Sequence, residues 1–134
     1  MVAWTLGGMT STTDVPAGRL NALGRYGERV AAQRLIDQGM VLLDRNWRCE
    51  AGEIDLVLRD GDVLVVCEVK TRLSDVCGTP HEAITPEKLE RLQRLALLWA
   101  EAHGVRPADT RIDLVAVHRP VRGAAAIEHV PGLL

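Results

Sequence analysis

The chain has 134 residues, of which 47% are hydrophobic and 25% charged, the size and composition of one ordinary globular domain. That excludes a disordered tail, a collagen-like fibre and an isolated coiled coil. Sixteen basic against eighteen acidic residues leave a net charge of −2 and a pI near 6.1, which argues against a protein that coats nucleic acid through a broad basic field.

Residues 1–20 are rich in Gly, Ser, Thr and Pro without periodicity and read as a flexible leader, with Met9 a second candidate start. Residues 21–134 read as a single domain. The N-terminus has neither the basic segment nor the apolar run of a secretory signal, and no apolar run approaches the ~20 residues a membrane span needs. Cys49, Cys67 and Cys77 are odd in number and form no CxxC pair, so they read as free thiols of a reducing compartment. The expectation is a cytoplasmic protein with no membrane role.

A helical stripe begins at Asn21, with Gly27, Val30, Ala31 and Leu35 on one face and Gly39 placed to cap the end. Met40–Leu43 is a short β-like run, and Trp47 stands before a loop into Glu53. Glu53–Arg59 and Val63–Arg72 read as strands separated by the turn signal Asp60-Gly61. Residues 73–84 read as a loop. Thr85-Pro86-Glu87 starts a helix, with a capping hydroxyl, proline at the first position and an acid near the positive end. It runs to about His103 and closes at Gly104. Leu89, Leu92, Ala96 and Trp99 form its apolar face, and Lys88, Arg91 and Arg94 its polar side. Arg111–His118 is a further strand and Ala125–Val130 a last edge strand. The order α-β-β-β-α-β predicts an α/β fold with a central sheet flanked by helices. The tetrapeptide Ile-Asp-Leu-Val occurs at 54–57 and again at 112–115, which reads as two buried strands of similar composition.

Strand alternation concentrates the chemistry. With Asp60-Gly61 as a two-residue turn, Asp55 lies across from Val66 and Glu53 across from Glu68. Glu53, Asp55, Glu68 and Lys70 then share one face, while Ile54, Leu56, Leu58, Val63, Val65, Cys67 and Val69 share the other. Three carboxylates on one face repel one another unless something compensates. A divalent cation does so: Mg²⁺ takes one or two carboxylates and completes its octahedron with water and substrate phosphate. An ammonium two residues from a ligating glutamate supplies a cation for developing charge. Glu68-Val69-Lys70 alone reads as a solvated hairpin face. The apolarity of both strands favours the chemical reading. So does a lysine at this position in a chain with 14 arginines and only two lysines, Lys70 and Lys88.

Gly24 and Gly27 cost a helix up to ~1 kcal/mol each against alanine and point to close packing or a close ligand approach. Arg25, Arg29, Arg45, Arg48 and Arg72 form either a solvated basic rim or phosphate contacts. Lys88, Arg91 and Arg94 could extend that surface. Trp47 reads as core, with base stacking the alternative, and Trp99 as core. His81 is the histidine placed near the acids. Asp113 reads as a hydrogen-bond partner of basic residues, without a catalytic role.

The segment GEIDLVLRDGDVLVVCEVKTR resembles the core of the PD-(D/E)xK nuclease superfamily, and GRYGERVAAQRLIDQGMVLLDRNWRCEAGEID resembles the YraN-like family of predicted endonucleases. That family is similar to archaeal Holliday junction resolvases. The resemblance covers roughly residues 23–118. It implies a restriction-endonuclease-like α/β fold with a central mixed sheet. It also implies a Mg²⁺- or Mn²⁺-dependent endonuclease acting on branched or structured DNA, in a symmetric dimer. The metal would be held by Glu28, Asp55 and Glu68, with Asp55, Glu68 and Lys70 catalytic and Glu53 an additional acid. Ile54 stands where the superfamily's name places proline. The alternative is a nucleic-acid-binding module of a repair or uptake complex that keeps the fold and does not cut.

Overall fold

The computed structural model describes residues 22–73 and 84–133. The proposed leader, Met9, Asn21, most of the 73–84 loop, Cys77 and His81 lie outside the described residues.

Helix α1 spans Ala22–Asp37, and strands β1 (Val41–Cys49), β2 (Gly52–Asp60) and β3 (Val63–Leu73) follow as a meander. Helix α2 (Pro86–His103) then crosses over to β4 (Asp109–Arg119), and β5 (Ala126–Val130) ends the order. The five strands lie in the sheet in chain order; β3 and β4 run parallel and every other pair antiparallel. Only β3–β4 needs a crossover, because parallel strands cannot be joined by a tight turn.

One helix covers each face. On the α2 side, Ile54, Val57, Leu64, Val66 and Ile112 pack against Leu92, Leu95, Ala96 and Trp99. On the α1 side, Leu56, Leu58, Val65, Cys67, Val115 and Val117 pack against Ala31, Ala32 and Leu35. This is an α/β architecture of the restriction-endonuclease-like kind, as the element order implied. Helix α2 is held where its sequence directs: Thr85 Oγ1 accepts the Lys88 N–H at 3.1 Å, Pro86 opens the first turn and Gly104 closes the last. Its buried face also includes Leu95, beyond the residues the stripe picked out.

Three expectations are corrected. First, β1 is nine residues long, and Trp47 lies within it, paired with Ile54. Asp44, Arg45, Asn46 and Arg48 hide the strand pattern, and pairing to β2 imposes it. Second, the β2–β3 turn is Gly61-Asp62, so Asp60 pairs with Val63 and Leu56 with Cys67. Gly61 takes φ +63 at the first central position, where a tight hairpin favours glycine. The register therefore slides by two, and its continuation sets Asp55 opposite Glu68 instead of Val66. A slide of two does not by itself move any side chain to the other face. Third, Ile54 packs under α2, whereas Leu56 and Leu58 pack under α1. The alternation breaks at Asn46 and Asp55, where the β1–β2 pairing passes from Arg45↔Leu56 to Trp47↔Ile54 and Asn46 takes φ +52.

Candidate active site

The hairpin's polar end is built where the sheet changes hands. The β2–β3 ladder ends at Leu56↔Cys67, and just past it the Val69 N–H donates to Asp55 Oδ2 at 2.8 Å. The carboxylate thus takes a strand donor in place of a backbone carbonyl. Asn46 Nδ2 donates to Glu28 Oε1 at 2.9 Å, tying α1 to β1. A left-handed asparagine costs roughly 1–2 kcal/mol, and here its side chain fixes a site acid.

Helix α1 reaches the sheet because residue 27 has no side chain. A Cβ on Gly27 would sit 1.8 Å from Thr71 Oγ1. The close packing expected at Gly27 is therefore with β3, and it brings the next residue, Glu28, to the acids. A Cβ on Gly24 would meet nothing within 4 Å, so that glycine has no packing reason.

Electrostatics show the four acids acting on one another. Asp55 is pushed up from 3.8 to about 8, first by burial and then by the charge of Glu68, with Glu28 and Glu53 adding to it. Glu28 is pushed up from 4.5 to about 7, first by burial and then by Glu53, while Arg45 and the Asn46 hydrogen bond pull it back. Glu68 is 6% exposed and carries both lysines of the chain on one oxygen: Lys88 Nζ lies 2.6 Å and Lys70 Nζ 3.5 Å from Oε2.

Glu28, Glu53, Asp55, Glu68 and Lys70 are thus brought together. Arg45 acts on Glu28, and Arg48 Nε pairs with Glu53 Oε1 at 3.6 Å in an exposed contact. Arg25 and Arg29 are exposed on α1, and the Arg29 guanidinium lies 5.9 Å from the centre of the Tyr26 ring. Arg72 is half-buried and opposite His118 across the β3–β4 pair. Among the described residues, nothing hydrogen-bonds the buried Nε2 of His118, a histidine the sequence did not single out. Lys88 was legible only as a polar helix residue, since its spacing does not show that it reaches β3. Arg91 and Arg94 line an open groove of about 1130 Å³ together with Glu50, Glu87, Glu90 and Glu101, so acids outnumber bases there.

Among the described residues, no group of three His, Cys, Asp or Glu side chains stands ready to hold a metal ion. Each acid is engaged: Glu28 by Asn46, Asp55 by the Val69 N–H, and Glu68 by two ammonium groups. The donor chemistry nevertheless fits a hard divalent cation. All are carboxylate oxygens, and two are held above their ordinary range by burial and mutual repulsion. A divalent cation would relieve that repulsion.

The sheet, its helix on each face and the acid cluster at the end of the hairpin define a restriction-endonuclease-like α/β protein. Residues 27–117 match the family described as "Uncharacterised protein family UPF0102", and the chain belongs to that YraN-like family. A "UPF0102 protein" of Nocardioides sp. is 62% identical over 122 residues, covering 91% of this chain and 98% of the relative. One from Kineococcus radiotolerans is 60% identical, covering 84% and 93%. One from Streptomyces coelicolor is 57% identical, covering 84% and 88%. Among solved structures, Pyrococcus furiosus SfsA in complex with Ca²⁺ is 13% identical with a TM-score of 0.36, covering 84% of this chain and 64% of that one. That likeness is too remote to bear on fold or function. No described helix is long and apolar enough to cross a membrane.

Proposed function

We propose that this protein is a metal-dependent endonuclease that hydrolyses phosphodiester bonds in DNA, with branched or structured DNA as its substrate. The observation that carries the reading is the convergence of Glu28, Asp55 and Glu68, with the exposed Glu53 at the margin, on one partly buried, mutually repelling site with Lys70 beside Glu68. Structural acids are normally paired, whereas a cluster that raises its own pKa values marks a functional site.

Glu28, Asp55 and Glu68 would hold Mg²⁺ or Mn²⁺, with Glu53 at the margin. Bound there, the cation supplies Lewis acidity toward the phosphoryl group and a more acidic water. Lys70 projects toward the same side as Glu68 and offers an ammonium to the charge that builds on the phosphate oxygens. Val69 holds the Asp55 carboxylate through its backbone N–H, so that ligand is oriented before any substrate arrives. Arg45 and Arg48, beside Glu28 and Glu53, are placed to meet neighbouring phosphates without reading sequence. A two-fold pair of such sites would suit a two-fold junction.

The engagement of every acid by an internal partner favours a second reading, a nucleic-acid-binding module that does not cut. One experiment separates the two. The protein is incubated with supercoiled plasmid, linear duplex and a four-way junction in Mg²⁺, Mn²⁺ or EDTA. Cleavage that needs metal and is lost in Asp55→Ala and Lys70→Ala is the expected result. Binding without cleavage on every substrate and in both metals would leave the second reading.

A further inference from the structure

Glu68 and Lys88 come from different layers of the fold. Glu68 stands on β3 near the sheet's polar end and is 6% exposed. Lys88 stands in the first turn of α2, with its backbone N–H held by Thr85 Oγ1 at 3.1 Å. The cap and Pro86 fix the stem of the lysine, and its ammonium reaches Glu68 Oε2 at 2.6 Å. The same oxygen faces Lys70 at 3.5 Å. A chain with fourteen arginines places both of its lysines on one oxygen atom.

A cation is thus already seated on one acid of the cluster. An ammonium and a dication on the same carboxylate oxygen repel one another strongly in a partly dry site. They must therefore exchange. Lysine suits a place that has to be vacated: it is a compact point charge on a flexible stem, whereas a guanidinium would grip the carboxylate through two parallel hydrogen bonds.

We propose that Lys88 is the protein's own cation at Glu68, occupying the second metal ligand until a divalent ion displaces it. The inference rests on the metal-site reading above and adds a control to it. Lys88 is a positioning residue here: it sets which cation Glu68 faces. It lowers metal affinity by the fraction of time it holds Glu68, since a ligand binds only the competent population. A lysine that merely buttressed Glu68 would act with the opposite sign.

That difference of sign is the test. Free Mn²⁺ is titrated by electron paramagnetic resonance in the unmodified protein, Lys88→Met and Asp55→Asn. Competition predicts that Lys88→Met binds Mn²⁺ about tenfold more tightly, while Asp55→Asn loses binding. Equal or weaker binding in Lys88→Met, with binding intact in the unmodified protein, overturns the proposal and leaves the metal site standing. No Mn²⁺ bound by any of the three removes the metal site and the proposal together. Because Lys88→Met leaves a buried carboxylate with one partner fewer, a second measurement uses the unmodified chain. Selective lysine labelling gives two ammonium signals by nuclear magnetic resonance, assigned with Lys88→Arg. Titration with Mg²⁺ is expected to move the Lys88 signal to the position of a solvated ammonium. A Lys88 signal that stays in place while Mg²⁺ binds overturns the proposal.

Discussion

The tetrapeptide Ile-Asp-Leu-Val occurs on β2 and again on β4, and the two aspartates have opposite surroundings. Asp113, on β4, is fully buried among donors. Arg111 Nε lies 2.8 Å from Oδ1 and Nη2 3.1 Å from Oδ2. His129 Nε2 lies 2.7 Å from Oδ2, and the Gly132 N–H donates to Oδ1 at 3.0 Å. This cluster ties the start of β4 to β5 and the C-terminal segment, where the Leu133 N–H also donates to the Ile112 carbonyl at 2.8 Å. Asp55, on β2, has one backbone donor and three acids around it. The same local sequence therefore builds a structural anchor in one place and a cluster of mutually repelling acids in the other. What separates them is who is packed against the carboxylate.

The sharpest way to break that comparison is to remove each carboxylate in turn. Asp113→Ala leaves the half-buried Arg111 guanidinium with Asp60 as its one remaining carboxylate among the described residues and the Gly132 N–H without its acceptor, and should cost about 3–5 kcal/mol, read as a fall in urea midpoint or Tm. Asp55→Asn removes a repelling charge and keeps an acceptor for the Val69 N–H. Without divalent metal at pH 8 it should leave stability unchanged or raise it by roughly 1–3 kcal/mol. Equal losses in both variants would mean that the two aspartates are alike.

A pH series sharpens the same contrast. Asp55 titrates near 8 and Glu28 near 7 in the folded chain, above their ordinary 3.8 and 4.5. Between those limits the folded chain binds protons that the unfolded chain has released, so stability falls as pH rises toward 8. Relative to the unmodified protein, Asp55→Asn should gain on the order of 3 kcal/mol between pH 5 and pH 8 in EDTA. Saturating Mn²⁺ should restore the unmodified protein at pH 8 and leave Asp55→Asn unmoved. Parallel stability curves for the two proteins would sink the electrostatic account.

A smaller effect is expected at Gly27. Gly27→Ala places a methyl against Thr71, and the strain should cost about 1–3 kcal/mol. If α1 shifts to relieve it, Glu28 moves with it, so Mn²⁺ affinity should fall along with stability. The smallest effect is at Arg48, whose pair with Glu53 is largely exposed. Arg48→Ala should change stability by less than about 0.5 kcal/mol while weakening DNA binding and its salt dependence.

Much of this was legible in the chain. The capping hydroxyl of α2, the apolar runs of β2 and β3 and the hairpin's glycine are local signals, and the elements formed there with the turn one residue on, at Gly61-Asp62. The gathering of Glu53, Asp55, Glu68 and Lys70 survived a wrong register, although the break in alternation at Asp55 keeps them from lining one regular strand face. Strand β1 was half hidden, since Asp44 is a buried polar residue whose partner, the Trp99 Nε1–H at 2.9 Å, lies on α2. The break at Asn46 was hidden as well, since no alternation pattern announces a left-handed residue inside a strand.

The sequence by itself determined the two helices, the β2–β3 hairpin and which acids gather at its end, because side-chain direction follows the period of helix and strand. It also determined that a net charge of −2 conceals a concentration of negative charge at one place. Only the tertiary structure decided that Lys88 crosses from α2 to Glu68, that Asn46 holds Glu28, and which of two identical tetrapeptides carries an aspartate among repelling acids. Those depend on residues far apart in the chain, and a carboxyl group's charge state is set by the burial and charges that packing brings to it.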